Sequence, residues 1–202
     1  MRILPFGDAA LLAECADLAE VRARLAALRS SMPPGVVDVV PALRTLLVRV
    51  DPTILGLHDA ERWLARSAPA EPEARAGELV RIAVRYAGPD LAETAGLLGL
   101  TAESLVRRHT EAEWECAFIG FAPGFAYLVS DDFPFDVPRH ATSRPQVPAG
   151  SVALAGRFGG VYPRSSPGGW RLIGSTEATL WDESREHPAL LPPGTRVRFE
   201  AV

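Results

Sequence analysis

The chain has 202 residues, a formal net charge of −4, 48% hydrophobic and 23% charged residues, which excludes a disordered or fibrous chain and suits one large domain or two small ones. All 21 basic residues are arginine, so a lysine Schiff base and a phosphate-loop lysine are excluded. No dense basic cluster marks a nucleic-acid partner, and no run approaches the roughly 18 apolar residues of a bilayer span.

At the N-terminus, Pro5 and Asp8 come too early for a secretory signal, so a cytoplasmic protein is expected. Residues 10–14 read as a short strand. Residues 17–31 read as a helix, with Leu18, Val21, Leu25 and Leu28 at three-to-four spacing. Pro33-Pro34-Gly35 stops it. Two β-branched runs, 36–40 and 43–50, predict a hairpin around Pro41, and 58–68 predicts a second helix. Residues 69–78 are polar and Pro-bearing, a linker pattern that places a boundary near residue 77.

Beyond the linker, residues 79–86 alternate apolar and charged side chains as a half-wet strand. Asp90 is placed to cap a helix reaching Leu98, with Glu93 completing a capping box. Thr101 and Ser104 flank the start of another helix, which ends near His109. From Glu115 helical periodicity stops. Short apolar runs at 115–121, 125–129, 151–155, 171–174, 178–182 and 196–200 are separated by turn signals, including Gly159-Gly160. This spacing predicts a closed or nearly closed β-barrel. The class is α+β: a small N-terminal α/β domain over 1–77 and a barrel over 78–202.

Three segments are too unusual for plain strands. Residues 118–128 bracket the Ala122-Pro123-Gly124 turn with Phe121 and Phe125, which suits a tight hairpin or a pocket wall with inward backbone N–H groups. Residues 138–152 mix Arg, His, Thr, Ser and Gln with three prolines. They suit a polar surface loop, or a site where arginine clamps a carboxylate and hydroxyls and amides hold an oxyanion. Residues 159–176 hold five glycines and two prolines and form a shaped loop, with Trp170 as its packed anchor.

Cys15 and Cys116 fit no metal or disulfide spacing and read as small apolar fillers. His58, His109, His140 and His187 show no metal spacing either. No nucleophile elbow or Ser-His-Asp order can be assigned. His109, closing a helix beside the barrel, is the first candidate for a general base.

Gly-Phe-x-Pro-Gly-Phe-x-Tyr-Leu at 120–128, Arg-Pro-x-Val-Pro-Ala-Gly-Ser-Val at 144–152 and Tyr-Pro-x-x-Ser-Pro-Gly-Gly-Trp-x-Leu-Ile-Gly at 162–174 resemble the B subunit of bacterial 5-oxoprolinase. That family also goes by allophanate hydrolase subunit 1 and includes an inhibitor of a sporulation histidine kinase. Val37-Asp38-Val39-Val40-Pro41 and Arg85-Tyr86-x-Gly88-Pro89-Asp90-Leu91 also fit its patterns. The resemblance implies that the barrel is cyclophilin-like, with a C subunit of related barrel and an A subunit as partners. It also implies that the complex uses ATP to open 5-oxoproline to glutamate. Phosphate on the lactam oxygen would then make a leaving group for water. The same resemblance leaves two other functions open, a regulator of a sensor kinase and a carboxyltransferase-like subunit acting on a urea derivative.

With a small-molecule acid as substrate, Arg144 is expected as the carboxylate clamp. Gly124, Phe125, Gly150 and Ser151 are expected as an oxyanion cradle, and Tyr127 and Tyr162 as orienting groups. Pro123, Pro148 and Trp170 complete the expected binding wall. No metal ligand is expected, and ATP belongs to the complex with no assigned site on this chain, which has no Walker pattern. Two positions depart from the family pattern: Ser165 stands where a glutamate is expected, and Ser175 where an arginine is.

Overall fold

The computed structural model describes residues 1–68 and 78–202. Chain contacts divide it into two units, Met1–Ala74 and Arg75–Val202. The expected linker over 69–78, apart from Glu78, and the boundary near 77 lie outside the described residues.

The first unit runs β1 (Arg2–Pro5), β2 (Ala10–Glu14), α1 (Leu18–Ser30), β3 (Val36–Pro41), β4 (Thr45–Val50) and α2 (Leu57–Arg66). Its antiparallel sheet has the order β1-β2-β4-β3, and β3 and β4 form the expected hairpin. The sequence reading missed β1, which pairs with β2 through the turn at Gly7, where φ is +71°. Asp17 caps α1 by accepting from Glu20 N at 2.8 Å. Glu20 in turn accepts from Ala16 N, just before the cap, at 2.7 Å. Val21, Leu25 and Leu28 share one face of α1 and pack with Leu11, Leu46, Val48 and Leu64.

In the second unit, β5 (Leu79–Val84) leads into α3 (Leu91–Leu97) and α4 (Ala102–Glu111). These are followed by β6 (Trp114–Ile119), β7 (Ala126–Val129), β8 (Arg144–Val147), β9 (Ser151–Ala155), β10 (Phe158–Val161), β11 (Ser166–Gly168), β12 (Arg171–Ser175) and β13 (Arg196–Ala201). Seven strands form one sheet in the order β12-β9-β10-β7-β6-β13-β5, and β8 pairs with β11 as a separate ribbon. Past the end of β5 the chain bonds to the far edge of the same sheet. Arg85 N donates to Ser175 O at 2.8 Å, Ser175 N to Arg85 O at 3.0 Å, and Gly88 N to Ile173 O at 3.2 Å. The sheet thus curls into the expected, nearly closed barrel. Its interior holds Ile82, Trp114, Leu128, Leu154, Ile173, Val197 and Phe199.

Three local expectations fail for physical reasons. Gly159-Gly160 is not a turn but the middle of β10. A Cβ on Gly159 would press on the Trp114 ring, and one on Gly160 would press on Trp170 and Phe125, so these glycines make room for aromatic rings. The apolar run 178–182 forms no strand and keeps a single bridge, Trp181 to Ala189. Asp90 stands at the N-cap of α3 yet makes no side-chain cap bond, and Glu93 pairs with Arg171 at 2.8 Å instead of closing a box.

Candidate functional site

The seam that closes the barrel also builds a cavity. Gly88 runs so close to β12 that a Cβ there would collide with the Leu172 carbonyl. Leu172 O accepts from Asp90 N at 3.0 Å. The carboxylate of Asp90, a residue only 3% exposed, then reaches three groups. Its Oδ2 accepts from Leu172 N at 2.7 Å and lies 3.2 Å from His140 Nε2. Its Oδ1 accepts from Arg144 Nη2 at 2.6 Å. Burial raises the Asp90 pKa, but the Leu172 N–H and then Arg144 and His140 outweigh it and hold the carboxyl below its ordinary value. Arg171, itself buried, donates from Nε to Pro138 O at 2.7 Å and so anchors the start of the loop that carries His140.

With one nitrogen on Asp90, the Arg144 guanidinium keeps Nη1 buried and without a hydrogen-bond partner among the described residues. Arg144 lines a cavity of about 350 Å³. Ala87, Gly88 and Pro89 form one wall, Leu172, Gly174 and Ser175 another, and Gln146, Pro148, Ala149 and Ser151 a third. Gly150 has φ +76°, and a Cβ there would strike the Thr176 carbonyl. The close approach allows Thr176 N to donate to Gly150 O at 2.9 Å and Gly150 N to Tyr162 O at 2.8 Å. These bonds set the 148–151 wall. The chemistry on offer is a fixed cationic edge, a carboxamide, two hydroxyls and small apolar walls, which suits a compact organic anion.

Of the residues expected from sequence, Arg144, Pro148 and Ser151 meet at this cavity and Gly150 shapes it. Phe125, Tyr127, Tyr162 and Trp170 gather instead in a second, aromatic cluster with Val147 and Phe158. There Phe125 meets Trp170 edge-on at 5.2 Å, and Phe118 stacks on Tyr127 at 4.5 Å. Burial pushes the Tyr127 and Tyr162 hydroxyls up. Pro123 and Gly124 form the β6–β7 turn, where Gly124, with φ +78°, lies against Leu180 and Trp181. Neither residue lines the cavity.

His109 has no route to a substrate. It is fully buried, stacked on Phe199 at 4.5 Å, with Nδ1 2.7 Å from the Tyr86 hydroxyl. Burial pulls its pKa down to about 3. The general-base expectation therefore gives way to a neutral core histidine. Ser165 is exposed just before β11, while Ser175 lines the cavity. Sequence reasoning missed Asp90, Gly88 and Gln146 as site residues. The signal available was Gly88-Pro89-Asp90 after a strand, which reads equally well as a helix start. Among the described residues no group of three or more His, Cys, Asp or Glu is placed to hold a metal, and no helix is long and apolar enough to cross a membrane.

The family model for the carboxyltransferase domain, subdomain C and D, matches residues 1–191. The B subunit of 5-oxoprolinase from Escherichia coli O157:H7 is 42% identical over 170 residues, covering 82% of this chain and 78% of that protein. The protein of the same name from Bacillus subtilis strain 168 is 36% identical over 186 residues, covering 84% and 77%. The crystal structure of TTHA0988 superposes with a TM-score of 0.79 at 36% identity over 96% of this chain, which spans only 39% of that longer chain. The Kluyveromyces lactis urea amidolyase, at 16% identity and a TM-score of 0.78, covers 99% of this chain and 15% of its own, and shares the fold. The chain belongs to the carboxyltransferase domain, subdomain C and D, family, and within it to the family of 5-oxoprolinase B subunits.

Proposed function

We propose that this chain works as the B subunit of an ATP-dependent complex that hydrolyses 5-oxoproline to glutamate, and that Arg144 holds the substrate carboxylate. The observation that carries the reading is Arg144 itself. Asp90 fixes its guanidinium through Nη2, and Arg144 lines a cavity of amino-acid size. A pre-oriented guanidinium loses little freedom on binding and suits a carboxylate better than a mobile one. The names of the relatives support the reaction.

The cavity does not suit a triphosphate. Among the described residues Arg144, already paired with Asp90, is the one cationic residue in its lining, and Gly159-Gly160 is a strand packed on aromatic rings. ATP use is therefore assigned to the complex with the A and C subunits, and the role of this chain is to bind and orient the lactam acid.

In the co-purified complex, Arg144→Ala is expected to raise the KM for 5-oxoproline about 10- to 100-fold, the loss of a charge-assisted bond, with a smaller change in kcat. Unchanged KM and kcat would remove Arg144 from the site.

A further inference from the structure

Arg144, Gln146 and Pro148 line the cavity, whereas Val147 packs into the aromatic cluster, as the period of two along a strand requires. Arg144 and Gln146 therefore stand on one face of β8, with Cα atoms about 6.6 Å apart. Arg144 offers a cation. The Gln146 side chain is exposed and has no hydrogen-bond partner among the described residues. A primary carboxamide presents a donor and an acceptor side by side. A cyclic amide, whose peptide bond is forced cis by the ring, presents the complementary acceptor and donor on its own edge. Two such edges close into a pair of hydrogen bonds. A lactone has no N–H for this pair, and a cyclic amine has no carbonyl.

We propose that Gln146 is the residue that selects a cyclic cis-amide. Its carboxamide oxygen accepts from the lactam N–H and its nitrogen donates to the lactam carbonyl, while Arg144 takes the carboxylate on the ring carbon next to that nitrogen. The inference rests on the reading of Arg144 as the carboxylate clamp. It adds why a lactam acid, rather than any small carboxylate, is held. The bond to the carbonyl oxygen also favours charge developing there when water adds.

The test is titration calorimetry on the co-purified complex with three acids: 5-oxoproline, the γ-lactone of the same skeleton, and proline. Wild type is expected to bind the lactam about 10- to 100-fold more tightly than the other two, the value of two hydrogen bonds in a partly open site. Gln146→Ala, and Gln146→Met, which keeps the stem without donor or acceptor, are expected to erase that preference. Arg144→Ala is expected to weaken all three acids alike and keep their order. A lactam preference that survives both Gln146 variants, or is missing from wild type, overturns the assignment of Gln146 and leaves the clamp standing. Affinities that Arg144→Ala leaves unmoved, or no binding of any acid, overturn the clamp and the assignment together.

Discussion

Asp90 sits where a helix cap belongs, yet its carboxylate accepts from the backbone of Leu172, 82 residues away, and from Arg144. An aspartate after Gly-Pro and before an apolar run carries the local signature of a cap. Only the approach of β12 turns it toward the cavity, so its role is invisible to local pattern. Arg144 stands out in the sequence as a basic residue among prolines and hydroxyls, and the fold brings it to the cavity wall, paired with Asp90. His109 misled for a similar local reason: it closes a helix in the position that suits a cation, but it stands four residues after Leu105 and shares its buried face. Because burial holds its pKa near 3, against 6.5 for the ordinary group, the unfolded chain takes up a proton that the folded chain refuses. The stability due to neutral His109 is complete above pH 6.5 and is lost as pH falls from there towards 3, at about 1.4 kcal/mol per pH unit for one proton. Chemical denaturation at a series of pH values should show a shallower acid limb for His109→Gln than for wild type. Parallel limbs would contradict the neutral buried imidazole.

The strands of both units were largely readable, since β2, β4, β9 and β13 carry clear apolar runs at the expected places. The elements that escaped are those whose reason lies elsewhere in the chain. β10 holds two glycines because Trp114 and Trp170 occupy the space a side chain would need. β8 and β11 carry little apolar surface, and their pairing depends on each other. Gly150 tests this tier directly. It combines a positive φ with a Cβ position that meets the Thr176 carbonyl, whereas Gly194, at φ +93°, has nothing within 4 Å of its Cβ position. Gly194→Ala should therefore cost about 1 kcal/mol of backbone strain. Gly150→Ala should cost about 3 kcal/mol or more and weaken acid binding, since it displaces the wall that carries Ser151. Equal shifts in denaturation midpoint for the two variants would show that the Gly150–Thr176 approach is not a constraint.

The barrel exists as a closed object only because the chain after β5 bonds to β12, joining Arg85 to Ser175. That seam unites Gly88, Asp90, Arg144 and Ser175 in one place, and it is the feature least available to a reading of local periodicity. The family motifs mark the barrel loops, and two of their three segments border the cavity while the third shapes the β6–β7 hairpin. Under the proposed function, substrate recognition lies on this chain and ATP use elsewhere in the complex. The decisive measurement is ATP-dependent glutamate formation from 5-oxoproline by this chain co-purified with A and C subunits, run in parallel with the same mixture lacking this chain. Glutamate is expected from the full set and none without this chain. Equal glutamate with and without it, or a stable complex that forms none, would contradict the proposed role.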